Sequence, residues 1–89
     1  MSTLSDVFSL LDRLNTNGIY FTLGYHRPGY LMVTAVVPGE RWEIELQADG
    51  EPEIEVFVSR GGVEYGATVE ELFERFGEPS QSEPNIEGS

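Results

Sequence analysis

Residues 41–47 (RWEIELQ) and 53–58 (EIEVFV) alternate apolar and polar side chains with period two, the spacing of a strand with one buried face. Asp49 and Gly50 between them are turn residues, so the two segments predict a hairpin. Its register follows from matching apolar with apolar across the pair. A two-residue turn at Asp49-Gly50 would set Ile44 against Glu55 and Leu46 against Glu53, mixing the faces. A three-residue loop from Ala48 to Gly50 sets Ile44 against Ile54 and Trp42 against Val56. It also puts Gly50 where a turn with a bulge needs a left-handed residue. The sequence therefore predicts the three-residue loop.

That register carries an electrostatic cost. Glu45 falls opposite Glu53 and Glu43 opposite Glu55, with Cβ atoms about 4.5–5.5 Å apart. Directly opposed like charges on an exposed face destabilise by roughly a few tenths of a kcal/mol per pair after screening. Neutral Thr, Ser or Gln, or alternating Lys and Glu, would give a wet face without the repulsion. A tight turn at Pro38-Gly39 brings Met32 and Thr34 beside Glu45 and Glu43, with Tyr30 and Phe57 at the border. The predicted partner-binding residues are Glu43, Glu45, Glu53 and Glu55, with Tyr30, Met32 and Phe57 as apolar anchors. The plain alternative is a solvated sheet face whose charges discourage edge-to-edge aggregation.

Charge decides which partners such a face could take. Sixteen acidic residues stand against five basic ones, all arginine, for a net charge of −11. A field of that sign repels nucleic acid and anionic membranes and attracts basic proteins or cations. The absence of cysteine removes disulfides, thiolate metal sites and thiol nucleophiles together. No apolar run approaches the roughly 20 residues that span a bilayer. The first residues lack the basic region and cleavage site of a signal peptide, so a cytoplasmic location is expected.

Around the hairpin the chain reads as α+β: a four-stranded antiparallel meander with an N-terminal and a C-terminal helix on one face. Leu4, Val7, Phe8, Leu11 and Leu14 form the apolar stripe of a helix over 3–15, capped by Ser2 or Thr3 and stopped at Asn17-Gly18. Strands are expected over 19–23 and 30–37, with a loop at 25–29 and a break at Gly61-Gly62. Thr68 and Glu71 fit a capping box, followed by the stripe Val69, Leu72, Phe73 and Phe76 and a stop at Gly77. The helices should cover Leu31, Val33, Trp42, Ile44, Leu46, Ile54 and Val56. Residues 1–77 thus read as one domain and 78–89 as a mobile acidic tail.

Catalytic patterns are missing. His26 is the sole histidine and sits in a Tyr-His-Arg-Pro context that reads as exposed loop. No Ser or Thr has a base partner in pattern, and no glycine-rich phosphate loop precedes a helix. Glycosidase chemistry needs two carboxyls in unlike environments across a cleft, which neighbouring glutamates on an open sheet do not supply. The chain is expected to be non-enzymatic and to need no cofactor or dedicated metal, although four carboxylates could hold a cation weakly.

Residues 38–50 (PGERWEIELQADG), 53–59 (EIEVFVS) and 69–73 (VEELF) together resemble a pattern in small acidic bacterial proteins, some of which are similar to immunity proteins of toxin systems. The resemblance spans roughly residues 30–76. It implies a stoichiometric inhibitor of a basic partner such as a nuclease toxin. It rests on a strand-turn-strand-helix rhythm and transfers no site residue. Two other readings stay open: a secretion-chaperone-like carrier, and a structural protein with a plain acidic face.

Overall fold

The structure, a computed structural model, describes residues 3–77. Helix α1 (Leu4–Thr16) leads into strands β1 (Tyr20–Arg27), β2 (Tyr30–Val37), β3 (Glu40–Gln47), β4 (Glu53–Val58) and β5 (Val63–Tyr65), and α2 (Val69–Phe76) follows. The strands form one antiparallel sheet in chain order, a plain meander. The expected tail over 78–89 lies outside the described residues. None of the described helices is long and apolar enough to cross a membrane.

Period-two alternation sorts the sheet into two faces. Val33, Ala35, Trp42, Ile44, Leu46, Ile54 and Val56 are buried on one side, together with Leu14 of α1 and Leu72 and Phe73 of α2. Trp42, Ile44, Val33, Val56, Leu14 and Leu72 are fully enclosed. Each such side chain stabilises the fold by about 1.5–3 kcal/mol through water exclusion. Leu31, also expected on this side, packs against the cluster while remaining partly exposed.

Both helix starts are capped by threonine. Thr3 Oγ1 accepts from Asp6 N at 3.1 Å, and Asp6 Oδ2 accepts from Thr3 N at 3.1 Å, a complete capping box. The Thr3 amide and hydroxyl hold the Asp6 carboxyl below its ordinary value. At α2, Thr68 Oγ1 accepts from Glu71 N at 3.2 Å, but the reciprocal bond expected from the Glu71 side chain does not form. Glu71 is exposed.

The sheet has five strands where four are expected. Gly61 and Gly62 take φ of 106° and 103°, a left-handed pair that turns the chain back on itself. Val58 N donates to Gly62 O at 3.1 Å, so the glycines form a hairpin turn and Val63–Tyr65 pairs with β4. The first strand also runs further than its β-branched stretch suggests. It continues through Tyr25 and His26 to Arg27, closing on Tyr30 across Pro28-Gly29. One extra residue is accommodated as a bulge between Gly24 and Arg27.

Candidate functional site

The register across the central hairpin is the predicted one. Glu43 pairs with Glu55, Ile44 with Ile54, Glu45 with Glu53 and Trp42 with Val56. The connection between β3 and β4 runs over 48–52, longer than the three-residue loop expected, with Gly50 inside it at φ 107°. Thr34 lies beside Glu43 and Met32 beside Glu45. Pleat parity then sets Tyr30, Met32, Glu43, Glu45, Glu53, Glu55 and Phe57 on the face away from the helices. Met32 and the four glutamates line a hollow of about 220 Å³. The glutamates of β3 and β4 make it anionic, and Met32 of β2 borders it on one side.

Two arginines join this face, Arg41 by its place two residues before Glu43 on β3 and Arg27 through the bulge in β1. Arg27 Nη2 donates to Glu45 Oε1 at 3.0 Å, and its guanidinium lies 3.8 Å over the Tyr30 ring. Arg41 Nε sits 3.3 Å from Glu43 Oε2, with its guanidinium 4.5 Å over Phe57. The hydrogen bond that Arg27 donates to Glu45 raises its pKa above the ordinary value, with Glu45, Tyr30 and Glu53 adding through space. Glu43 and Glu45 therefore carry partial counter-charge. Glu53 and Glu55 form no ion pair among the described residues.

The same construction recurs at the helices. Arg13 donates from both terminal nitrogens to Glu70 at 2.8 Å while lying 4.1 Å over Phe73. Arg75 donates to Glu40 Oε2 at 2.6 Å and lies 5.0 Å over Phe76. A planar guanidinium can pair a carboxylate and stack on a ring at once, which a lysine ammonium does less well. That accounts for an all-arginine cation set: four of the five are engaged within the fold. Glu40 also accepts from the indole N–H of Trp42 at 2.8 Å. Burial would raise its carboxyl, but the Trp42 and Arg75 hydrogen bonds together hold it below the ordinary carboxylate value.

Of the seven predicted residues, Met32, Glu53 and Glu55 border the hollow without an arginine partner, and Glu43 and Glu45 border it with one. Tyr30 and Phe57 each lie beneath a guanidinium, so their rings support the arginines rather than standing bare. Arg41 was legible, since it precedes Glu43 by two and must share its face. Arg27 was not, because its side depends on the bulge. The acidic and histidine groups of the described residues form no trio placed to hold a metal ion. His26 is exposed, at the end of β1 rather than in a loop.

Fold and face together define a small α+β protein whose two helices cover one side of a meander and leave an anionic side open. No protein-family model, curated protein or solved structure matches the chain.

Proposed function

We propose that the open sheet face binds a basic protein and blocks it stoichiometrically, as an immunity-type inhibitor does a nuclease toxin. The observation that carries this reading is the hollow formed by four in-register glutamates of β3 and β4, with Met32 of β2 along one side. An arginine or lysine reaching from a partner would lay its aliphatic stem on Met32 and its charged head among the carboxylates. Glu53 and Glu55 supply the strongest attraction, because Arg27 and Arg41 already occupy the other two. The surrounding negative charge would steer encounter and make the association salt-sensitive.

The test is the quadruple variant Glu43→Gln, Glu45→Gln, Glu53→Gln, Glu55→Gln titrated against the basic partner at moderate salt. Affinity should fall at least about tenfold, a modest loss for removing four charges from a complementary interface. Unchanged affinity with an intact fold would leave the face without this role.

A further inference from the structure

The two ends of the sheet are guarded differently. β5 is three residues long, and Glu64, which shares the helix side with Val56, puts a charge on that edge. Short strands and inward-facing charges are devices that prevent another strand from adding. β1 has neither. It is eight residues long, contains no acidic residue, and pairs regularly with β2 from Tyr20 to Gly24 before the bulge. In a chain with sixteen acidic residues, an acid-free edge strand stands out.

Beside that edge lies apolar surface. On the helix side of the sheet, Leu23 is 51% exposed and Tyr25 70%, and on α1 Leu4 is 71% and Phe8 56% exposed. Leu4 and Tyr25 line one hollow of about 300 Å³ with Val7, Leu31 and Leu46, so helix and strand form one continuous patch. The four side chains leave on the order of 400 Å² of apolar area bare, within the range of a functional patch on a monomer. Tyr20 and Val36, paired on the other face and 67% and 48% exposed, extend it around the edge. With the strand backbone included, the surface approaches the roughly 800 Å² per partner of a stable interface.

We infer that this edge pairs with the β1 edge of a second copy, joining two sheets about a twofold axis. With the axis at Thr22, Leu23 faces Phe21 of the second copy on the helix side, and both edge backbones gain partners. Charge supports a copy of the same chain despite its net −11. The centre of each glutamate ladder, between β3 and β4, is two and a half strand spacings from its β1. Across the joint the ladders stand about 28 Å apart. That is more than three Debye lengths at physiological salt, so the acidic faces do not oppose the contact. β1 itself brings no acidic residue to the seam.

Sedimentation equilibrium over a concentration series tests this. The parent should sediment at twice 9.9 kDa at concentrations of about 100 µM, with Leu23→Glu raising the dissociation constant at least about tenfold by burying a carboxylate in the seam. Phe8→Glu repeats the test from the helix without altering the sheet, and circular dichroism confirms that both variants keep the fold. Glu53→Gln with Glu55→Gln should leave the dimer intact, separating this contact from the proposed binding face. A parent at 9.9 kDa throughout, or a dimer that both Glu substitutions leave unchanged, would overturn the inference. The first result would leave the edge to an extended peptide instead.

Discussion

Replacing the two glutamates that lack an arginine, Glu53→Gln with Glu55→Gln, should stabilise the isolated protein. Each sits opposite another carboxylate, Glu53 against Glu45 and Glu55 against Glu43. Two unit charges about 5 Å apart in water repel by about 0.8 kcal/mol. A Debye length of about 8 Å at 0.15 M ionic strength roughly halves that. Two relieved pairs give about 0.8 kcal/mol, and losing the attraction of Arg27 for Glu53 offsets part of it, leaving about 0.5 kcal/mol. For a domain of this size that is a rise of about 2–4 °C in Tm, read by circular dichroism. In 1 M NaCl, where the Debye length is about 3 Å, the gain should shrink to about 1 °C. Glu43→Gln with Glu45→Gln relieves the same two repulsions but also breaks both arginine pairs, so its Tm should not rise. A lowered Tm for the first variant, or a rise of equal size at both salts, would refute the claim that the ladder works against stability.

Glu40 ties β3 to α2, and Glu40→Ala should cost about 2 kcal/mol in urea unfolding by leaving the Trp42 indole N–H unpaired and releasing Arg75. Glu40→Gln keeps an acceptor for Trp42 and should cost about half as much. Because the folded state holds the Glu40 carboxyl low, its contribution is complete above the unfolded value of about 4.3 and is lost as pH falls through the lower folded one. The gap between parent and Glu40→Gln should therefore close in acid, which an unfolding series from pH 6 down to about pH 2 would show. Gly77 has an ordinary φ of −68°, where alanine would normally be tolerated or stabilising. A Cβ there would meet Phe73 O at 2.5 Å and Asn17 Oδ1 at 2.9 Å. Gly77→Ala should thus destabilise by about 1–3 kcal/mol in the same assay, and a neutral result would show that the α1 end yields easily.

Strong periodicity made much of this fold readable. Trp42, Ile44, Ile54 and Val56 admit a single register that keeps them together, and the glutamate ladder follows from it without further assumption. The two helical stripes likewise pointed Leu14, Leu72 and Phe73 into the core, but Leu4 and Phe8 of the α1 stripe stay exposed. What escaped depends on local geometry that composition does not encode. Gly61-Gly62 can end a strand or reverse it, and only the pairing of Val63–Tyr65 decides which. The bulge after Gly24 reverses the side on which Arg27 emerges, turning a presumed loop residue into a counter-ion for Glu45. Three of the four arginine–carboxylate pairs are tertiary: Arg27 with Glu45 spans 18 positions, Arg13 with Glu70 spans 57, and Arg75 with Glu40 spans 35.

The proposed role of the open glutamate face is recognition of a basic protein. Affinity capture from the native cell extract, with the parent and the Glu53→Gln, Glu55→Gln variant as parallel baits washed at low and moderate salt, tests it most directly. The parent should retain a basic protein at low salt and release it as salt rises, and the variant should retain much less under either wash. The same bound proteins on both baits, insensitive to salt, would contradict the account.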